Sequence, residues 1–495
     1  MSQTVDQLEP RNLWRYFAKI SEIPRCSKEE EAIAEWLASV GKDHGAEVSV
    51  DPTGNVLLRL AATPGCEQAP GVVLQNHMDM VCEKNSDVQH DFDRDAVQMV
   101  IEGDIVKAKG TTLGADNGIG MAAALAFLDE PDATHGPLEL LFTVDEETGL
   151  TGAFEIEAGF ISSRIMLNLD SEDWGIFTIG SAGGRDTTLT YKAPRGPRAG
   201  TELFELAVSG LQGGHSGQDI ILNRGNSIKI LARIFLMAAE DETLHGISVG
   251  AFAGGSKRNA LPREARAIVS IPAGASTAFR ELVQRTTDEI RSQLEGIESS
   301  LEVRIRSLKE KTGGSESAVC SPEDSLRLIH LLNALPHGVL AMSTEIENLV
   351  ETSTNLGVLV DQEDGYQITL STRSSVAEAL TAVLAQIRSA ARLAGAQVLH
   401  GDGYPAWKPK LGTPLLKTVE DVYERLHGGK PAFKAIHAGL ECGLFLGKYP
   451  DLQVISFGPD IKEPHSPNER VYIASVAKFW TFTKALLAAL ANPKK

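Results

Sequence analysis

The sequence of 495 residues contains few cysteines, and none are paired at a spacing typical of metal or redox sites. The five are odd in number, scattered and without a C-x-x-C motif: Cys26, Cys66, Cys82, Cys320 and Cys442. Such a set argues against a disulfide framework and against a thiolate zinc site. We therefore expect reduced cysteines with structural roles.

The sequence also lacks a long apolar run and a surplus of basic residues. No apolar stretch approaches the roughly 20 residues of a membrane-spanning helix, and the start MSQTVDQLEPRNLW has no secretory pattern. The 47 basic and 66 acidic side chains give a formal net charge of −19, which disfavours nucleic acid and anionic membranes as partners. A cytoplasmic protein is the simplest interpretation.

The chain is long for one core, and its patterns change along its length. Residues 1–188 alternate helical periodicity with continuous apolar strands such as GVVLQNHMDMV, which is typical of an α/β sheet covered on both faces. Residues 189–398 predict an inserted α+β domain, whose order of elements suggests two similar α+β units. Residues 399–495 resemble the first region, so we predict one mixed-sheet α/β domain built from both chain ends.

Four predicted strands end in side chains that can bind metal. These side chains are His77 and Asp79, Glu146 and Glu147, Asp170, and His465. Open α/β sheets bind ligands beyond the carboxyl ends of their strands, so groups far apart in sequence can meet there. Imidazole and carboxylate ligands suit zinc, cobalt or manganese.

Asp116, in GTTLGADNGIGMAAAL, has two interpretations. Taken alone it is a helix cap or a turn residue, because Asp-Asn-Gly is a common turn. Taken with the strand ends it supplies the remaining carboxylate of a two-metal site. The charge of two zinc ions would then be balanced by Asp116, Glu147, Asp170 and one hydroxide, with both histidines neutral.

Neighbouring residues at the strand ends suggest divided tasks. His77 and Asp79 are two apart on a strand and share a face, so Asp79 could hold the far ring nitrogen of His77. Adjacent Glu146 and Glu147 would point differently on a regular strand, so one can bind metal while the other moves a proton. Capping of the next element is the alternative role for such acids, and the one expected for Asp145.

Six phrases, in register, are similar to the co-catalytic zinc peptidases, the family that includes the aminoacylases, and more closely to bacterial aminoacyl-histidine dipeptidases. They are LQNHMDMV, KGTTLGADNGIGMA, GGHSG, RNALPREA, IHAGLECGLF and EPHSPNERV. The resemblance implies a homodimeric metallodipeptidase with two zinc ions per subunit, replaceable by cobalt or manganese. It also implies that the inserted domain is a lid.

The same resemblance implies individual roles. His77 and Asp170 would hold one metal, and Glu147 and His465 the other. Asp116 would bridge them. Glu146 would be the general base for the attacking water, and Asp79 would orient His77.

Four residues match substrate-binding positions of that family: His215, Asn259, Arg373 and Glu441. His215 would steady the oxyanion, within its own subunit or across a dimer, or it is simply a turn residue. Arg373 would grip a carboxylate, or it is an exposed arginine at a strand end. Glu441 would bind the substrate's amino group, or it supports a turn or the metal site. His437 stays without a role.

The phrase KEPHSPNER departs from the family pattern at Glu463, where a smaller neutral residue is expected. This acid would shift metal affinity or point into solvent. The predicted substrates are unblocked dipeptides, including Xaa-His types. The alternatives are an N-acyl amino acid amidase or tripeptidase of the same fold, and a peptide-binding protein without catalysis.

Overall fold

A computed structural model describes residues 4–197, 201–308 and 318–492. The chain forms two compact units. The first unit contains the residues up to Ser181, Trp407–Ala435 and the residues from Leu440. The second unit contains Ala182–Ala406 and Ile436–Gly439.

The two units begin and end a few residues away from the predicted domain boundaries. Those boundaries, 188/189 and 398/399, fall inside strands Gly183–Lys192 and Gln397–His400, which pair with each other in one sheet. A pattern of alternating helices and strands does not reveal which sheet a strand joins. The division into a catalytic domain and a lid stays a prediction.

The helices have the following bounds: α1 Arg11–Ile20, α2 Glu31–Asp43, α3 Ala115–Ala126, α4 Glu146–Gly149, α5 Thr151–Glu155, α6 Ser227–Glu240, α7 Ser276–Gln293, α8 Pro322–Ala334, α9 Ala377–Leu393, α10 Pro414–His427, α11 Glu441–Lys448 and α12 Ile473–Ala491. Short 3₁₀ helices cover Val5–Gln7, Phe127–Asp129, Ile220–Leu222 and Glu242–Leu244.

The strands have the following bounds: β1 Glu47–Val50, β2 Val56–Leu60, β3 Val72–His77, β4 Met99–Glu102, β5 Ile105–Ala108, β6 Leu138–Thr143, β7 Ile165–Asn168, β8 Ile176–Ser181, β9 Gly183–Lys192, β10 Arg195–Gly196, β11 Thr201–Ser209, β12 Ser248–Gly254, β13 Ala265–Pro272, β14 Glu302–Leu308, β15 Val319–Cys320, β16 Gly338–Met342, β17 Val350–Gln362, β18 Gly365–Ser374, β19 Gln397–His400, β20 Ala432–Ile436, β21 Gln453–Ser456, β22 Ile461–Lys462 and β23 Arg470–Tyr472.

The first unit is built on an eight-stranded mixed sheet in the order β1-β2-β6-β3-β7-β21-β8-β20. The four central strands β6, β3, β7 and β21 are parallel, and β3, β6 and β7 are buried along their whole length. Continuous apolar sequence is what a strand covered on both faces requires. The predicted mixed-sheet α/β class is confirmed, and the parallel strands bring four carboxyl ends to one edge.

The second unit contains a nine-stranded sheet, whose main path is β14-β11-β13-β12-β17-β18-β9-β19 with β16 beside β17. Its paired strands run antiparallel. A core with residues from α6, α7, α8 and α9 packs with it, including Phe235, Phe279 and Leu328. An antiparallel sheet with helices is the α+β architecture predicted for the inserted segment.

Helix α12 corrects the expectation that no apolar stretch approaches membrane-spanning length. By length and composition alone it could cross a membrane. However, Phe479, Trp480 and Phe482 on this helix are buried in the core of the first unit. The apolar sequence of α12 is therefore explained by packing inside the protein.

The expectation of reduced cysteines is wrong for two of the five. Cys26 and Cys82 form a disulfide with their Cα atoms 5.7 Å apart. A parallel β-bridge between Cys26 and Met80 brings the two chain segments together across 56 residues of sequence, so no local motif marks the pair. Cys66, Cys320 and Cys442 are free and buried.

Candidate active site

The carboxyl ends of the parallel strands bring the predicted metal ligands together. His77 is the last residue of β3 and only 1% exposed, and Asp170 follows β7 by two residues. The ring Nε2 of His77 lies 3.1 Å from Oδ1 of Asp116 and 3.2 Å from Oδ1 of Asp170. These three residues can present ligand atoms within 4.8 Å of one another, which suits one metal ion.

A second group of ligands contains Asp116 as well. His465 Nε2 lies 3.2 Å from Oδ2 of Asp116 and 3.0 Å from Oε1 of Glu147. Asp116, Glu147 and His465 therefore form another triad of suitable size. Because the two oxygens of Asp116 face different histidines, this carboxylate lies between the two triads. Imidazole and carboxylate donors in this number fit a pair of divalent cations such as zinc.

Glu146 and Glu147 lie on a helix, which corrects the reason given for their divergence. Strand β6 ends at Thr143, and Asp145 has a left-handed backbone (φ 51°) just before α4. The Asp145 carboxylate accepts hydrogen bonds from Thr148 and Thr151. Asp145 stands at the expected N-cap position of α4, but its side chain makes no capping hydrogen bond to the backbone and supports the turn through the two threonines instead. Adjacent glutamates on a helix point about 100° apart.

Asp79 links His77 to the start of α4. Its Oδ1 lies 3.2 Å from the His77 Nδ1 and accepts the backbone N–H of Glu146 at 3.0 Å, while Oδ2 accepts the N–H of Glu147 at 3.2 Å. Ser27 donates a further hydrogen bond to Oδ2 at 2.8 Å. These contacts, above all those from His77 and Ser27, lower the pKa of Asp79 to about 2 despite its burial. It therefore stays an anion that can orient the imidazole.

Two residues without a predicted role hold the loop that carries Asp116. Glu469 accepts backbone N–H groups from residues 113, 114, 115 and 116 at 2.7, 3.0, 2.8 and 3.2 Å. The buried Arg25 donates to the carbonyls of Asp79 and Gly114, at 2.8 and 2.5 Å. Gly114 needs its left-handed backbone (φ 68°), and a Cβ there would lie 2.4 Å from the guanidinium. Glu469 stands in the phrase EPHSPNERV, but nothing local in the sequence indicates its partners.

The carboxylates of the two triads concentrate negative charge, and this charge raises the pKa of both histidines. Burial lowers the pKa of His77, but Asp170, Asp116 and Asp79 outweigh it and raise that pKa well above the usual value. Hydrogen bonds to Asp116 and Glu147 raise the pKa of His465 to about 11. A proton and a metal ion compete for the same imidazole nitrogens. The carboxylates that favour the protonated histidines would stabilise a metal ion at the same place by the same attraction.

Three acids in or beside the triads have raised pKa values. Burial raises the pKa of Glu146 well above its usual range, and that of Asp170 to about 6. Glu441 begins α11 and is 2% exposed; its Oε2 accepts hydrogen bonds from Gln75 at 2.6 Å and from Thr143 at 3.0 Å. Burial raises the pKa of Glu441 to about 8, and its Oε1 is buried without a partner among the described residues.

The remaining predicted substrate residues lie in the second unit. His215 and Ala260 form a β-bridge, which sets Asn259, an exposed residue, beside the His215 segment. The His215 Nδ1 accepts N–H groups from Gly217 and Gln218 at 3.2 and 3.1 Å, so the neutral ring carries its proton on Nε2. Burial and then Arg373 lower the pKa of His215, which favours that neutral form.

Two positions left open by the sequence now have defined surroundings. Glu463 is about half exposed and pairs with Arg470 at 2.8 Å, so its side chain belongs to the surface. His437 is 7% exposed, and its Nε2 lies 2.7 Å from the hydroxyl of Ser353. Burial and Arg373 lower the pKa of His437 to about 4.

A mixed α/β fold with imidazole and carboxylate groups at the ends of parallel strands is typical of metal-dependent hydrolases, so the protein is a candidate member of this class. The chain belongs to the peptidase family M20/M25/M40, whose model matches residues 73–490. This finding confirms the predicted family.

Two relatives match the chain from end to end. It is similar to the cytosol non-specific dipeptidase of Escherichia coli (strain K12), with 41% identity over 484 residues that cover 98% of each protein. It is also similar to the aminoacylhistidine dipeptidase of Vibrio alginolyticus, with 43% identity, 98% coverage of each chain and a TM-score of 0.90. The aminopeptidase PepT of Bacillus cereus, at 17% identity and a TM-score of 0.57, shares the fold.

Proposed function

We propose that this chain is a metal-dependent dipeptidase that hydrolyses unblocked dipeptides, Xaa-His dipeptides among them. One observation carries the proposal: two triads of imidazole and carboxylate ligands meet at Asp116, and Glu146 lies within 4.8 Å of His77 and Glu147 in a third group. The end-to-end similarity to two relatives that are named as dipeptidases supports the substrate class.

In this proposal two divalent cations, with zinc the preferred ion, are held by the two triads. His77 and Asp170 would hold one cation, Glu147 and His465 would hold the other, and Asp116 would contribute to both sites. The cations would polarise the scissile carbonyl and make a water molecule more acidic. Cobalt or manganese are possible substitutes, because the same donor types suit them.

Glu146 is the proposed general base and proton carrier. Its carboxylate takes a proton from the attacking water and returns it to the leaving amine. Its raised pKa supports this role, because a carboxylate with that property accepts a proton more readily at neutral pH. Asp79 keeps the His77 ring in place during the reaction, and Glu441 is the proposed partner of the substrate's free amino group.

The test separates proton transfer from metal binding. We expect Glu146→Gln to keep its metal while kcat falls at least ~10²-fold, because only the proton carrier is lost. Glu147→Ala should lose metal, as measured by elemental analysis of the purified protein. Glu157→Gln, at an exposed position in the same region, is the matched control and should change neither quantity. Equal metal loss in the Glu146 and Glu147 variants would contradict the proposed division.

A substrate panel distinguishes the dipeptidase from related amidases. The panel contains dipeptides with a free amino terminus, among them Xaa-His, together with tripeptides and N-acetyl amino acids. We expect cleavage of the dipeptides. Cleavage of N-acetyl amino acids without cleavage of any dipeptide would overturn the proposed substrate class.

We also propose a cytoplasmic homodimer. The word cytosol in the name of the Escherichia coli relative supports the location, and the net charge of −19 supports a protein that avoids nucleic acid and membranes. In the dimer His215 would act on the oxyanion, from its own subunit or its partner. Light scattering tests the dimer, and a fully active monomer would exclude action across subunits.

A further inference from the structure

Arg373 stands on β18 between two neighbouring strands of the second unit. It lies opposite Ser353 on β17 and opposite Gly184 on β9. Its side chain is partly buried, and the guanidinium Nε is buried without a hydrogen-bond partner among the described residues. An unpaired donor of this kind in a cationic group is costly unless a ligand satisfies it.

The hydroxyl of Tyr404 is the hydrogen-bond partner of this guanidinium. Arg373 Nη1 donates to the Tyr404 oxygen at 2.7 Å. Nε and Nη2 form the opposite edge of the planar group, and that edge matches the two oxygens of a carboxylate. Within residues 4–197, 201–308 and 318–492, the Arg373 side chain forms no ion pair with an acid. The tyrosine therefore orients the positive charge and leaves it unneutralised.

Two glycines leave the space that the Tyr404 ring occupies. Tyr404 and Gly184 exchange backbone hydrogen bonds at 2.9 and 3.0 Å. A Cβ at Gly184 would lie 2.5 Å from the Tyr404 oxygen, and a Cβ at Gly439 would lie 2.8 Å from the edge of its ring. Any side chain at these two positions would displace the phenol. Burial also raises the pKa of Tyr404, so the hydroxyl stays protonated.

We propose that Tyr404 is a positioning residue for substrate recognition, which fixes the Arg373 guanidinium so that its Nε edge receives the carboxylate of a dipeptide. This inference rests on the proposed function. It adds Tyr404 as the residue that orients the carboxylate-binding edge of the Arg373 guanidinium. An aspartate or glutamate at position 404 would pair with Arg373 and compete with the substrate, whereas a phenol orients the group and keeps its charge available.

The experiment compares a dipeptide with its C-terminal amide, using Gly-His and Gly-His amide. We expect Tyr404→Phe to raise KM for Gly-His about tenfold with kcat within about twofold, because one charge-assisted hydrogen bond is removed. The same variant should leave KM for the amide unchanged. Tyr423→Phe, a tyrosine on α10 of the first unit, is the matched control and should behave as the unmodified protein.

Two further variants separate positioning from general loss of structure. Gly184→Ala should act like Tyr404→Phe, because its Cβ displaces the phenol. In an Arg373→Ala background, Tyr404→Phe should cause no additional loss. Equal effects on the dipeptide and the amide, or full additivity with Arg373→Ala, would overturn the proposal.

Binding measurements keep this test independent of turnover. Calorimetric titration with Gly-His and its amide, in the Glu146→Gln background, gives Kd with and without Tyr404→Phe. We expect weaker binding of the dipeptide alone. An unmodified protein that hydrolyses no dipeptide would refute the proposed function, while the two Kd values would still decide the role of Tyr404.

Discussion

Replacing Glu469 by glutamine should loosen the loop that carries Asp116. One oxygen of the Glu469 carboxylate accepts the N–H groups of Leu113 and Gly114, and the other accepts those of Ala115 and Asp116. Glutamine has nearly the same shape, but its amide nitrogen donates. Two backbone N–H groups would then face another N–H donor in a buried place.

The magnitude follows from the number of donors left unpaired. Each buried donor without a partner costs about 1–3 kcal/mol, so two of them should lower the free energy of unfolding by about 2–6 kcal/mol. Glu463→Gln is the matched control, because residue 463 lies in the same loop as Glu469. The Glu463 side chain is exposed and pairs with Arg470 on the surface, so no measurable change is expected.

Urea unfolding of the metal-free protein, followed by circular dichroism, measures this difference directly. The Glu469 variant should unfold at a lower urea concentration with an unchanged slope. Zinc titration of the folded protein should also show weaker binding, since Asp116 would lose its fixed backbone. If both variants unfold at the same urea concentration and bind zinc equally, the four N–H contacts do not stabilise the loop.

Three further predictions address other parts of the molecule. Because the disulfide closes a loop across 56 residues, replacing Cys26 and Cys82 by serine should lower the free energy of unfolding in urea by about 2–4 kcal/mol. Dithiothreitol should have no effect on the stability of this variant. If dithiothreitol also leaves the stability of the unmodified protein unchanged, the prediction is contradicted. Burial lowers the pKa of His337 to about 3, so between about pH 6.5 and 3 the unfolded chain binds a proton at this residue and the folded chain does not. Stability should therefore fall as pH drops from about 6.5 towards 3, by up to ~1.4 kcal/mol per pH unit, and an unchanged slope in His337→Gln would refute it. Asp79→Asn should weaken zinc binding ~10–100-fold in the same titration, and unchanged affinity would exclude Asp79 as the residue that orients His77.

The sequence predicts the convergence of the candidate ligands because strand direction determines it. His77 and Asp170 end buried apolar strands, and parallel strands put such ends at one edge whatever their order in the sheet. The order β6-β3-β7-β21 itself could not be read, since each of these strands has the same apolar character. The positions therefore follow from the pattern, while the chemical roles of the residues stay predictions.

Features that depend on distant partners escaped prediction. The left-handed backbone at Asp145 starts a helix that a strand pattern does not reveal, so Glu146 was expected on a strand. Glu469 contacts backbone groups more than 350 residues earlier in the chain, and Tyr404 contacts Arg373 through tertiary packing. Such contacts leave no periodicity or spacing in the sequence.

The order of the central strands has a consequence for synthesis. Strands β3, β6 and β7 leave the ribosome early, whereas β21 and the His465 segment follow only after the whole second unit. A nascent chain thus carries the first triad long before Glu147 and Asp116 meet their histidine. With the proposed role of His465 as a metal ligand, a chain that ends before this segment lacks the second triad and is not expected to hydrolyse dipeptides.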